Sequence, residues 1–143
     1  MTVKTILSRK GTEVLTIEPT ATLAAAVKML AQRRIGALVV TGPDHRIVGI
    51  ISERDIVRVL DAHGTTVLDR PVAEVMTRKV VTCSLSETIA EIMERMTAGK
   101  FRHVPVVEQG RLAGIVSIGD VVKARLEDLE REQDALRDYI RTA

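Results

Sequence analysis

The sequence predicts an α/β fold of two β-α-β-β-α repeats, packed side by side with pseudo-twofold symmetry, plus a C-terminal helical extension. Three observations lead there. The chain repeats itself, each copy runs through the same order of helical and strand periodicities, and a unit of about 55 residues buries too little surface to be comfortable alone. Residues 3–10 match residues 72–79 at an offset of 69, and Val14-Leu15-Thr16 falls on Val80-Val81-Thr82 at an offset of 66. The second offset also puts Thr22-Leu23-Ala24 on Thr88-Ile89-Ala90. One residue of slippage then puts Gly49-Ile50-Ile51-Ser52 on Gly114-Ile115-Val116-Ser117, and Asp55 on Asp120. The copies occupy residues 2–60 and 71–126, joined by a linker at 61–70 and followed by a tail at 127–143.

Each element follows from local pattern. Leu23, Ala26, Val27 and Leu30 are spaced i, i+3, i+4, i+7, as are Ile89, Ile92, Met93 and Met96, so each copy carries one apolar helix face. Thr88 with Glu91 has capping-box spacing, and Ser84 with Glu87 competes for the same start. Two Val- and Ile-rich runs, 35–41 and 47–52, flank Gly42-Pro43-Asp44-His45 and read as a hairpin. The second copy repeats this with 104–107, a turn at Gln109-Gly110, and 112–116. A second helix opens after Ser52 or Ser117. Ala37-Leu38-Val39-Val40 is continuously apolar, so its strand needs cover on both faces, from helices and from the twin repeat. Docked repeats leave clefts between them, where ligands commonly bind.

Composition removes several classes of function. At 143 residues the chain is too short for a (β/α)₈ barrel. With 21 basic against 19 acidic side chains it makes no electrostatic case for nucleic acid or an anionic membrane. Phe101 and Tyr139 are the only aromatics, so the core is aliphatic and base-stacking platforms are missing. Cys83 is alone, Met1-Thr2-Val3-Lys4 opens no signal peptide, and no run suits a membrane helix; the expected setting is the reducing cytoplasm. No phosphate-cradling glycine loop appears, which argues against nucleotide hydrolysis.

The motif with chemical content is Gly-φ-φ-Ser-x-x-Asp, φ being aliphatic, found at 49–55 and 114–120 where a strand turns into a helix. Read structurally, Ser is an N-cap and Asp at N3 satisfies free amides and suits the helix dipole. Read functionally, hydroxyl, carboxylate and free N–H groups converge at a cleft edge. There a carboxylate accepts the two hydroxyls of a ribose while nearby cations take its phosphate. The residues alone leave both readings open.

The tandem plan, the doubled motif, and Arg102-His103-Val104-Pro105-Val106-Val107 before the second hairpin together resemble a pair of CBS domains, a Bateman module, over residues 2–126. The resemblance implies a regulatory ligand sensor, not an enzyme, binding AMP, ADP, ATP or S-adenosylmethionine between the repeats. It assigns the ribose to Asp55 and Asp120, with Ser52 and Ser117 near ribose and phosphate. It also places Thr16, Ile17 and Pro19, or Thr82 and Cys83, beside the base over a floor of Ile50 and Ile115. Arg102 and His103, with Pro105 in the same run, correspond to the phosphate-reaching pair of some members. No cofactor is required, and magnesium is an optional companion of a polyphosphate. The first repeat has Gly36-Ala37 in place of Arg102-His103, and Arg54 is matched by Gly119. These two asymmetries point in opposite directions, so the two sites should differ. Family members commonly form homodimers and signal to an effector protein.

Other candidates read as structural. His103 lacks a second catalytic group at recognisable spacing, and His45 and His63 form no metal-ligand pattern with Cys83. Cys83 is a small buried hydrophobe and Met29, Met76, Met93 and Met96 are core filler. Arg33-Arg34 and the run 100–102 hold matching places, either solvated or edging the clefts. In the tail, Leu126, Gln133 and Ile140 fall at heptad intervals and Leu129 and Leu136 are one heptad apart. That is a seam too short to stand alone, and it either covers its own domain or pairs with a second subunit. The alternative to a sensor is a ligand-free interaction protein whose Asp residues only cap helices.

Overall fold

The computed structural model describes residues 1–142. The chain runs α1 (Val3–Lys10), β1 (Thr16–Ile17), α2 (Leu23–Arg33), β2 (Ala37–Thr41), β3 (Ile47–Ser52), α3 (Glu53–His63), α4 (Ile89–Gly99), β4 (His103–Glu108), β5 (Arg111–Ser117) and α5 (Ile118–Thr142). It is the α/β duplication read from the sequence, with short 3₁₀ turns at Pro43–His45 in the first hairpin, Thr65–Asp69 in the linker and Val72–Glu74 just after it. No described helix is long and apolar enough to cross a membrane.

The repeats share their details. In β2–β3 the register slips between Val40 and Thr41, and in β4–β5 it slips at the equivalent place, between Val106 and Val107. The second hairpin closes through Gln109 and Gly110, both at positive φ (51° and 76°), the conformation of a tight two-residue turn. Thr22 and Thr88 cap α2 and α4 by accepting from the N–H groups of Ala25 and Glu91, at 3.1 and 3.2 Å. Thr88 thus wins the start of α4, while the Ser84 N–H donates to Glu87 Oε2 just upstream. Both helices end on a left-handed residue, Arg34 or Lys100.

Two expectations need correction. The first strand of the second repeat is reduced to one parallel bridge, Cys83 with Val106, equivalent to Ile17 with Val40 in the first sheet. Beside it the Thr82 carbonyl accepts from Arg95 Nη1 at 3.1 Å. Val27, expected on the inner face of α2, is 37% exposed, whereas Leu23, Ala26 and Leu30 are buried.

The repeats exchange their leading segments. One core gathers Val3, Ile6 and Leu7 of α1 with Ile92, Val104, Val116 and Val121 of the second repeat. The other gathers Val67, Val72 and Met76 with Leu23, Leu38 and Ile51 of the first. The bridges Thr2 with Thr88 and Pro71 with Thr22 are the same connection made twice. The exchange also accounts for the motif glycines. A methyl group on Gly114 would lie 2.7 Å from Leu7 Cδ1, and one on Gly49 would lie 2.5 Å from Met76 Sδ and 3.0 Å from the Thr77 carbonyl. Only a residue without Cβ lets the crossing segment sit so close.

Candidate functional site

Strand β3 delivers Ser52 to the start of α3, where both halves of a capping box form. The Ser52 N–H donates to Asp55 Oδ2 at 3.0 Å and the Asp55 N–H donates to Ser52 Oγ at 3.3 Å. The second repeat builds the same cap, Ser117 N–H to Asp120 Oδ2 at 2.9 Å and Asp120 N–H to Ser117 Oγ at 3.2 Å. The capping reading therefore holds for both motifs, and it occupies Oδ2 of each carboxylate. What surrounds each acid then decides what else it does.

Around Asp55 lies a cleft of about 600 Å³ walled by both repeats. The first repeat contributes Ile50, Ser52, Arg54 and Asp55, and the second contributes Arg102, His103 and Ser117. Arg54 Nη1 reaches across to the Lys100 carbonyl at 3.2 Å, and a methyl group on Gly36 would stand 3.1 Å from His103 Cε1. Gly36 thus makes the room that the His103 ring occupies. Among the described residues Asp55 Oδ1 carries a single long contact, from Thr77 Oγ1 at 3.4 Å, which leaves acceptor capacity facing the cleft. Burial pushes the His103 imidazole below its ordinary range; Lys10 and Arg102 add to this, while Glu53 and Asp120 oppose it. A neutral ring follows at pH 7, and an incoming anion would draw a proton onto it.

Around Asp120 there is little room. Lys10 Nζ donates to Asp120 Oδ2 at 2.7 Å and to the Ile115 carbonyl at 3.1 Å. The hollow beside it measures about 110 Å³. Burial alone would raise the Asp120 carboxyl, but the Lys10 ammonium and the Ser117 N–H together hold it below its ordinary range. The second-repeat counterpart of Lys10 is Lys79, which lines the open cleft.

The two asymmetries seen in the sequence therefore favour one site. Because β4 of the second repeat faces the start of α3, Arg54 and the Arg102-His103 pair share the Asp55 cleft. Of the clusters 33–34 and 100–102, Arg34, Lys100 and Arg102 edge this cleft. With Arg54, Arg58 and Lys79 they set six fixed cations against two carboxylates, Glu53 and Asp55.

The remaining expected residues lie elsewhere. Ile17 and Cys83 are buried in the two cores, and burial followed by Glu87 pushes the Cys83 thiol up to about 11. Pro105 is buried in β4, where its carbonyl accepts from the Cys83 N–H at 3.0 Å. Thr16 pairs with β2, and the Pro19 carbonyl ties down Ala73, at 3.0 Å. Thr82 and Ile115 meet Arg95 and Lys10 through their carbonyls. None of these lines the cleft; its apolar wall is Ile35, Ile50, Val80, Val81, Phe101 and Ile118. Val80 and Val81 stand just before Thr82-Cys83 in the chain.

A model of the CBS domain matches residues 3–62 and again residues 72–127. The chain belongs to the CBS-domain family. Among relatives of this CBS pair, the mitochondrial CBS domain-containing protein CBSX3 of Arabidopsis thaliana is 36% identical over 123 residues, 83% of this chain. That match spans 60% of the plant protein, so the chain covers about three-fifths of that curated relative. The crystal structure of the CBS-domain containing protein ATU1752 from Agrobacterium tumefaciens superposes with a TM-score of 0.85 at 48% identity, covering 87% of this chain and 99% of the other. The CBS domain pair of protein MJ0100, solved in complex with 5′-methylthioadenosine and S-adenosyl-L-methionine, has a TM-score of 0.79 at 26% identity. That match covers 90% of this chain and 98% of the other.

Proposed function

We propose that this CBS pair is a regulatory sensor that binds one adenosine-containing nucleotide in the Asp55 cleft and reports its level to an effector protein. The observation carrying the reading is that cleft: about 600 Å³, within the range of small-molecule sites, with a carboxylate holding spare acceptor capacity at one edge. The adenosyl compounds named with MJ0100 support the nucleoside half of the ligand. The six cations favour a phosphate-bearing form, AMP, ADP or ATP, over S-adenosylmethionine, whose sulfonium adds positive charge. Nothing in this role requires catalysis, a cofactor or a membrane; magnesium would enter with a polyphosphate. The proposal includes a homodimer and places the module in the cytoplasm, a reducing setting that suits its free buried Cys83.

Thermal denaturation with AMP, ADP, ATP, NAD and S-adenosylmethionine tests the reading. A ligand that binds only the docked repeats stabilises them by mass action, by about 2.7 kcal/mol at a hundredfold excess over Kd, and so raises the midpoint. An adenine nucleotide should raise it more than S-adenosylmethionine does. A panel without effect would hand the role to a ligand-free interaction protein.

The Lys10 latch makes a second expectation. Calorimetry should count one nucleotide per chain, since about 110 Å³ is below the roughly 300 Å³ that ligand pockets start from. Lys10→Ala frees the Asp120 carboxylate and should add a second, weaker equivalent. Two equivalents in the parent, or one in the variant, would show that Lys10 does not govern the count.

A further inference from the structure

Helix α5 continues well past the body of its own repeat. Val121 and Ala124 are buried, and Asp128 Oδ2 stands 3.8 Å from the Met1 amino group, so this face is spent on the fold. Every residue from 129 to 142 is exposed. A second stripe, about 100° around the helix, runs through Val122, Leu126, Leu129, Gln133, Leu136 and Ile140, at alternating steps of four and three. Its five apolar members are 43% to 64% exposed. An uncovered helix of this length is marginal in water, and this spacing is that of a coiled-coil seam.

We propose that this stripe pairs with the same stripe of a second copy, in parallel and in register. The charges beside the seam choose that occupant and that direction. Taking Leu126, Gln133 and Ile140 as positions a and Val122, Leu129 and Leu136 as positions d, the flanking g and e positions hold Arg125, Glu130, Glu132 and Arg137. In a parallel pair Arg125 faces the partner's Glu130 and Glu132 faces the partner's Arg137, each an opposite-charge contact. An antiparallel pair centred on the same seam sets Glu130 against the partner's Glu130, Glu132 against the partner's Glu132, and Lys123 against the partner's Arg137. All three repel. Gln133, the polar a residue, meets its own counterpart only in the parallel register, where the two amides bond to each other. The seam rests on the homodimer part of the preceding reading and adds its surface and polarity.

Sedimentation equilibrium of the full chain, with disulfide trapping, tests the seam. The parent should be dimeric, and Leu129→Asp with Leu136→Asp should raise the dissociation constant at least about tenfold while leaving the circular dichroism of the folded domain intact. Glu132→Arg should weaken the dimer and Glu132→Arg with Arg137→Glu should restore it. Gln133→Cys should oxidise to a covalent dimer well before Arg131→Cys, which points away from the seam. A parent monomeric at about 100 µM would overturn both the dimer and the seam. A dimer indifferent to the Leu129 and Leu136 changes, or trapped as readily through residue 131, would overturn the seam alone.

Discussion

Asp55→Ala should abolish nucleotide binding in the concentration range where the parent saturates. A hydrogen bond to a charged group is worth about 1.5–3 kcal/mol, so losing an acceptor shared by two ribose hydroxyls weakens binding roughly a hundredfold or more. The same change removes half of a capping box, which costs about 1 kcal/mol of stability and leaves the chain folded. Asp120→Ala breaks the equivalent cap outside the open cleft, so it separates the loss of a cap from the loss of a ligand. Isothermal titration of the two variants against the parent reads the difference. Equal affinity in Asp55→Ala and parent would remove the ribose from Asp55, and the sensor reading would fall with it.

Deleting residues 1–10 should leave the second repeat unfolded, although the deleted residues open the first. Val3, Ile6 and Leu7 are at most 6% exposed and sit in the second core. Losing a single large buried aliphatic side chain costs about 2–5 kcal/mol, against a total stability of about 5–15 for a typical domain. Removing all three together with the Lys10 contact spends that margin. Leu7→Ala gives the graded version, a loss of about 2–4 kcal/mol, seen as a lower urea midpoint with little change in slope. A truncated chain that melts like the parent would mean that α1 only leans on the surface.

The sequence made the repeated elements legible because their signals are local. Thr88 caps at one of the two starts its spacing offered, the two hairpins turn where Gly-Pro-Asp-His and Gln-Gly stand, and Ser52 and Asp55 form the box their spacing suggests. The exchange of leading segments was hidden, since matching residues 3–10 to residues 72–79 shows equivalent roles but not which core each segment fills. The Lys10 contact to Asp120 was hidden for a related reason: the partners lie 110 residues apart. Arg34 and Lys100 read equally well as solvated, because a left-handed cap residue shows its direction only once the helices are docked. Thr16, Ile17, Pro19, Thr82 and Cys83 were carried over from a resemblance, and backbone pairing or burial holds them away from the open cleft.

Because the cleft draws one wall from each repeat, with Arg54 of one touching the carbonyl of Lys100 on the other, any occupant acts as a strut between them. Its affinity then depends on how far apart the two repeats stand. Reciprocity makes the converse hold: a protein that grips both and changes that spacing also tunes how tightly the strut is held. Such a gauge needs no moving lid, only a gap whose width two molecules read from opposite sides.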